Sequence, residues 1–183
     1  MKSLRQYIIP FKGLKNGIHE LEFIAGDKFF EQYELLEIKK GNINISVSLH
    51  KKPEILILDF SIKGFVNVMC DRCLDEFNLP INYSGTIYVK FSEDKFQENK
   101  NYPANDLIFI SSSENEINIS HYIYEFIYLS LPYKRIHPYD EKGNSMCNKQ
   151  MLNKIEEFTI FKKENKIEDP RWDKLKKLIV NKN

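Results

Sequence analysis

The sequence has few of the residues on which several protein classes depend. Its 183 residues include only three cysteines and seven glycines. Three cysteines are too few, and the wrong number, for a disulfide framework in a chain of this length, which favours a reducing compartment. There is no apolar run of about 18 residues, and no apolar stretch of the secretory type follows the first residues. We therefore expect a cytoplasmic location and no membrane partner.

The motifs of common enzyme classes are also missing. The sequence contains no glycine-rich phosphate loop, no G-x-S-x-G and no H-E-x-x-H. No pair of carboxylates stands at the end of a predicted strand. We therefore predict that the chain is not an enzyme and that it takes no small-molecule substrate.

Basic and acidic residues are nearly balanced, with 27 Lys and Arg against 26 Asp and Glu and a net charge of +1. A nearly neutral chain has no overall positive field to attract nucleic acid. Any contact with RNA would therefore come from a local basic patch or through a protein partner.

Short β-rich runs dominate residues 6–91. Residues 42–49 alternate strictly between apolar and polar, with Ile43, Ile45, Val47 and Leu49 on one face, which predicts a half-buried strand. Residues 55–68 predict a long strand, and residues 81–91 predict its returning partner. These strands indicate an antiparallel β-rich body, and the pattern does not separate a barrel from a sandwich-like arrangement.

The hydrophobic period changes to that of helices later in the chain. Ser120 can cap a helix that runs to Leu131, where Pro132 ends it. Residues 148–161 and 169–179 predict two more helices. We therefore predict an α+β fold with a helical C-terminal part: a β-rich body over residues 1–135 with one helix near 120–131, and a loop plus two-helix extension over residues 136–183, both in the same globular unit.

The sharpest local feature is the pair Cys70 and Cys73, which falls on the connection between two predicted strands. Two thiolates three positions apart on a tight turn can bind one tetrahedral metal ion. His137 and Cys147 lie on one loop after the 120–131 helix and could complete a Cys3His zinc site. Such a site would connect the β portion to the helical portion and would contribute to folding.

Two other interpretations of these cysteines stay open. Cys70 and Cys73 could be small buried hydrophobic residues, with His137 as an ordinary surface imidazole. They could also be a redox dithiol, which normally sits where a strand runs through a turn into a helix that lowers the thiol pKa. The second arrangement differs from the strand-to-strand connection predicted here.

Local basic groups offer candidate contacts with RNA, since guanidinium and ammonium groups pair with phosphates. Arg72 lies beside the cysteines, and Lys134 and Arg135 follow the 120–131 helix. Arg171 and Lys174 lie in the last predicted helix, where they also fit an ordinary solvated face.

Two blocks of the sequence resemble the YceD family of bacterial proteins. Residues 68–74 resemble the family's signature, in which a strand runs into a C-x-R-C-L turn. Residues 117–132 resemble a downstream block with a polar start, a helix that contains a glutamate, and an L-x-L-P ending. The resemblance extends over about residues 4–151, and residues 169–179 look like an extension.

The resemblance implies a ribosome-biogenesis factor. Such a protein would support accumulation, processing or stability of the large-subunit (23S) ribosomal RNA, by binding RNA, the pre-ribosomal large subunit or a ribosomal protein. The alternative is a zinc-stabilised protein-protein adaptor that makes no direct contact with RNA.

Overall fold

The computed structural model describes residues 2–33, 38–91 and 107–159. The chain divides into two compact units, residues 1–137 and residues 138–183. The predicted helix at 169–179 lies outside the described residues. Within these described ranges, no helix has the length and apolar character needed to cross a membrane.

The described residues of the first unit form a five-stranded sheet and a two-stranded one. The strands of the large sheet are β2 (Gly17–Ala25), β3 (Lys40–Lys51), β4 (Ile55–Met69), β5 (Glu76–Phe91) and β6 (Leu107–Ile110), in the order β2-β3-β4-β5-β6. The small sheet pairs β1 (Ile8–Ile9) with β7 (Ile117–Asn118).

The large sheet is antiparallel from β2 to β5, as predicted, while β6 runs parallel to β5. The α+β class is confirmed, and the part of the sheet that the structure describes is open and does not close into a barrel. Parallel pairing requires a long crossover connection. Here β5 ends at residue 91 and β6 begins at residue 107, which leaves enough chain for that crossover.

The predicted alternation of β3 is confirmed. Its four apolar side chains are at most 1% exposed, and they face the core together with the even-numbered residues of β4. Because successive side chains of a strand point to opposite faces, the odd-numbered residues of β4 and the even-numbered residues of β3 lie on the solvent side. The sheet therefore has one apolar face and one polar face.

The described residues form three α-helices: α1 (Asp27–Phe30) and α2 (Ser120–Leu129) in the first unit, and α3 (Lys149–Thr159) in the second. Two 3-10 helices, Lys2–Tyr7 and Phe11–Gly13, begin the chain. The prediction of Ser120 as the cap of α2 is wrong. Ser120 is a buried first-turn residue, and the Asn118 side chain accepts a hydrogen bond from the Ser120 N–H at 2.9 Å.

Helix α2 packs on the apolar side of the sheet. The Phe126 ring meets the rings of Phe60 and Tyr83 at centroid distances of 5.2 and 5.3 Å. Gly85 of β5 permits this approach, because a Cβ there would lie 3.0 Å from the Phe126 ring. The polar side of the sheet thus stays outside the core formed with α2.

Candidate metal centre

The two cysteines lie on a tight turn between β4 and β5. Cys70 follows the last residue of β4, and its N–H donates to the Asp75 carbonyl at 2.9 Å. The Leu74 N–H donates to the Cys70 carbonyl at 2.9 Å, which wraps the backbone around the first cysteine. Leu74 has φ of 65°, a left-handed conformation that is costly for a residue with a side chain. The predicted placement of the cysteine pair on a strand-to-strand connection is confirmed.

All four predicted metal ligands lie close together. The potential ligand atoms of Cys70, Cys73, His137 and Cys147 are within 4.8 Å of one another. The three cysteines are free and are 0%, 1% and 4% exposed in chain order. These residues could therefore bind a metal ion.

One distance tests the fit of this group to zinc. The Cys73 Sγ lies 3.4 Å from the His137 Nδ1. Bonds of about 2.3 Å to sulfur and about 2.0 Å to nitrogen imply a separation of about 3.5 Å between such ligands in a tetrahedral site. The donor set, with soft thiolates and one imidazole, is also the type that zinc prefers. The Cys73–His137 distance and the chemistry of the donor set therefore both fit zinc.

The environment of Cys70 favours its thiolate form. Burial by itself raises the pKa of the Cys70 thiol. Hydrogen bonds from the backbone of Cys73, Arg72 and His137 and from the His137 side chain outweigh burial and lower this pKa to about 6. Because the thiolate is the form that binds metals, the turn prepares Cys70 as a ligand.

Asp71 connects the cysteine turn to the segment that carries His137. Its carboxylate accepts a hydrogen bond from the Arg135 N–H at 2.7 Å, and its own N–H donates to the Arg135 carbonyl at 2.8 Å. The Arg135 guanidinium lies 3.8 Å from the same carboxylate. These reciprocal contacts fix residue 135 against the turn and so bring His137 to Cys73. No local pattern in the sequence indicates this pairing, since the partners are 64 positions apart.

The loop that carries Cys147 folds back on itself. Tyr139 and Ser145 form a β-bridge around a turn in which the Asp140 carboxylate accepts hydrogen bonds from the backbone of Lys142 and Asn144. The Met146 N–H then donates to the Pro138 carbonyl at 3.2 Å. Cys147 therefore returns toward Pro138, the residue that follows His137. Aspartate, glycine and asparagine in residues 140–144 are the sequence signal for this turn.

The predicted RNA-contacting residues differ in their surroundings. Arg72 and Lys134 are exposed. Arg135 is only partly exposed, and its backbone and side chain are engaged with Asp71. Arg171 and Lys174 lie outside the described residues. Contact of these five residues with RNA stays a prediction.

The family to which this chain belongs follows from comparison with known proteins. The model of the family described as "Large ribosomal RNA subunit accumulation protein YceD" matches residues 58–179, which is more than half of the chain. The chain belongs to the YceD family. The match begins within β4 of this YceD protein, whereas the sequence resemblance was expected to begin near residue 4. It also includes residues 169–179, which were predicted to be an extension. The curated proteins gave no match, and neither did the solved structures.

Proposed function

We propose that this YceD protein is a ribosome-biogenesis factor that acts in the cytoplasm. It supports the accumulation, processing or stability of 23S ribosomal RNA, and it does so by binding and not by catalysis. The observation that carries this proposal is the family match over residues 58–179, since the family's description names accumulation of the large ribosomal RNA.

The surface around the cysteine turn supplies groups for RNA phosphates. Arg72 and Lys134 are exposed, and neither forms an ion pair with another residue that the structure describes. A free cation can neutralise a phosphate and release counterions, which makes binding depend on salt. Arg135 is a weaker candidate because part of its bonding capacity is used by Asp71.

The function is tested in cells from which the gene has been deleted. We expect the ratio of 23S to 16S ribosomal RNA to fall, and we expect the wild-type gene to restore it. A variant with Arg72→Ala and Lys134→Ala should restore it poorly, whereas a control with Lys12→Ala and Lys15→Ala, two exposed lysines elsewhere in the first unit, should restore it fully. A deletion strain with a normal ratio would refute the proposed function.

We propose further that Cys70, Cys73, His137 and Cys147 bind a structural zinc ion. A site with four protein ligands has no open position for substrate, so zinc would contribute folding free energy and no turnover. The dithiol redox alternative is less well supported. Both thiols of the turn are buried, and the turn leads into β5 and not into a helix, although the lowered pKa of Cys70 is a feature that a redox site shares.

Asp71 should matter for metal affinity although it is not a ligand. Asp71→Ala removes the carboxylate that holds Arg135, so His137 loses part of its positioning. We expect zinc affinity to fall about 10- to 100-fold, the range typical of groups that orient metal ligands. Competition with a chromophoric zinc chelator measures this change. Glu116→Ala, which removes another exposed carboxylate, serves as the control, and equal affinities of the two variants would contradict the role of Asp71.

The apolar side chains near the cysteine turn favour the second candidate function, a protein-protein adaptor. Tyr133 is 98% exposed, and Leu74 and Met69, which flank the two cysteines, are 60% and 57% exposed. Exposed apolar groups of this size are frequent in protein interfaces. A pull-down separates the candidates. Partners that persist after nuclease treatment support the adaptor, and partners that disappear support direct contact with RNA.

A further inference from the structure

We propose that the polar face of the large sheet, at the end nearest the cysteine turn, is a binding site for single-stranded RNA centred on Phe65. This inference rests on the proposed function and names the kind of RNA and the surface that would bind it. The carrying observation is the register of β3, β4 and β5. It places an exposed aromatic ring among amide and ammonium groups on three adjacent strands.

Phe65 occupies the middle of this face. It pairs with Asn42 of β3 on one side and with Pro80 of β5 on the other. All three side chains point away from the core, and the Phe65 side chain is 39% exposed. Ile24 of β2 and Met69 of β4 are also exposed on this side of the sheet, but Phe65 is the aromatic ring of the three rows at its centre. An exposed ring in such a position is available for stacking.

The rows on either side of Phe65 have the same composition. Each contains one lysine and two asparagines: Lys40, Asn67 and Asn78 in one row, and Asn44, Lys63 and Asn82 in the other. Neighbouring strands are about 4.8 Å apart, so these side chains surround the ring at close range. We name the nine residues of the three rows the Phe65 face.

Most polar groups of the Phe65 face have no partner among the residues that the structure describes. Asn67 donates to Asn78 at 3.3 Å. The side chains of Lys40, Asn44 and Lys63 make no hydrogen bond or ion pair with any other residue in the described part of the chain, and the same holds for Asn42 and Asn82. Their donors and acceptors are therefore free to bind a ligand.

Charge along the polar side of the sheet is unevenly distributed. The Phe65 face contains two lysines and no acidic residue. Glu20, Glu22 and Asp59 lie farther along the same side, toward the opposite end of the strands, where Lys90 stands opposite Ile55. At the near end, Glu76 stands opposite Met69. An anionic chain is therefore favoured over the Phe65 face and disfavoured toward the acidic end. Because the positive charge is local and the chain as a whole is nearly neutral, the Phe65 face suits a short anionic segment.

A groove adjoins the Phe65 face. It has a volume of about 680 Å³, and Lys40, Asn42, Phe65, Asn67 and Asn78 form its sheet side. Helix α1 contributes Asp27 and Lys28 to the other side. Asp27 is engaged, since its carboxylate accepts a hydrogen bond from the Gly41 N–H at 3.0 Å. The groove therefore offers a concave edge next to the aromatic ring.

The chemistry of these groups selects unpaired bases. An aromatic ring stacks on any unpaired base, and alanine substitution of such rings typically costs about 5- to 150-fold in affinity. Carboxamides both donate and accept, so they can pair with the edges of bases, and lysines can pair with the phosphates between them. A duplex hides the faces of its bases in the stack. The Phe65 face should therefore prefer a single strand.

The test measures fluorescence anisotropy of a labelled 12-nucleotide RNA of adenosine and cytidine, free or annealed to its complement, with the full chain. Three variants probe the face: Phe65→Leu, the pair Lys40→Glu and Lys63→Glu, and the pair Asn44→Asp and Asn82→Asp. The last pair keeps the size of the side chains. Phe158→Leu and the pair Lys12→Glu and Lys15→Glu are matched controls, because these residues are exposed and lie outside the face.

We expect the wild-type protein to bind the single strand at least tenfold more tightly than the duplex. Phe65→Leu should weaken binding about tenfold with little change in salt dependence, and Lys40→Glu with Lys63→Glu should weaken it at least tenfold and reduce that dependence. The asparagine pair should also weaken it, while both controls bind like the wild type. Equal affinity for the duplex, or equal losses in the controls, would overturn the inference.

The same variants in the deletion strain separate the two levels of the proposal. If the purified chain does not bind the single strand while the wild-type gene restores the 23S to 16S ratio, the inference fails and the proposed function stands. If the chain binds the single strand through the Phe65 face while the deletion leaves the ratio normal, the inference stands and the proposed function fails.

Discussion

Purified protein without an affinity tag should contain close to one zinc ion per chain, and a variant with Cys70→Ser and Cys73→Ser should contain none. The ligand atoms of the four residues are already gathered within 4.8 Å, and the Cys70 thiol, with a pKa of about 6, is largely thiolate at neutral pH. Binding of structural zinc in small domains contributes roughly 10–16 kcal/mol. The loss of metal should therefore lower the unfolding free energy by several kcal/mol.

Elemental analysis and thermal unfolding with and without a strong chelator measure this effect. His137→Ala should lose the metal as the cysteine variant does. His121→Ala should keep it, because that imidazole is exposed and pairs with Glu125 at 3.0 Å, outside the cluster. If the wild-type protein contains no metal and the chelator does not change its unfolding temperature, the zinc proposal is refuted. The cysteines would then be small buried hydrophobic residues.

Gly64→Ala should cause a comparably large loss of stability without touching the metal ligands. Gly64 has φ of +154°, which residues with a side chain rarely adopt. A Cβ there would overlap the carbonyl oxygen of Asn42 and would lie 2.8 Å from the Cα of Ile43. Because both obstacles are backbone atoms of the paired strand, they cannot move without breaking the sheet. We expect a loss of roughly 2–4 kcal/mol from strain and overlap.

Chemical denaturation of Gly64→Ala and Gly13→Ala measures the difference. Gly13 is the matched control, because nothing lies within 4 Å of the Cβ that alanine would add. Its substitution should leave stability unchanged or raise it slightly, since alanine restricts the unfolded chain. Equal midpoints for the two variants would show that β4 can rearrange around residue 64. Such a rearrangement would also displace Phe65 and disturb the Phe65 face.

The strands could be predicted well where their pattern is local. Residues 42–49 alternate between apolar and polar because one face of β3 is buried. The observed strand, Lys40–Lys51, is two residues longer at each end than the predicted one. The parallel pairing of β6 could not be predicted, because four residues carry no information on which edge they join. The start of α2 was misplaced by one position, since an asparagine two residues earlier supplies the hydrogen bond expected of Ser120.

The candidate metal centre was predictable in its members but not in its assembly. Cysteine and histidine are few in this sequence, so residue type, the spacing of Cys70 and Cys73 and the shared loop of His137 and Cys147 selected these four residues. Their approach depends on Asp71, which receives Arg135 from far along the chain, and on the folded loop that returns Cys147. Neither contact leaves a periodic trace in the sequence.

Local sequence patterns were enough to predict the β-rich body, the cysteine turn on a strand connection and the family blocks, because each depends on neighbours a few positions apart. Which side chains meet depends on the tertiary fold. It joined residues 64 positions apart in the candidate metal centre. It also set the strand register that surrounds Phe65 with asparagine and lysine. The reason is physical: a period of two fixes the face of each side chain, whereas its cross-strand neighbour depends on a register that all strands determine together.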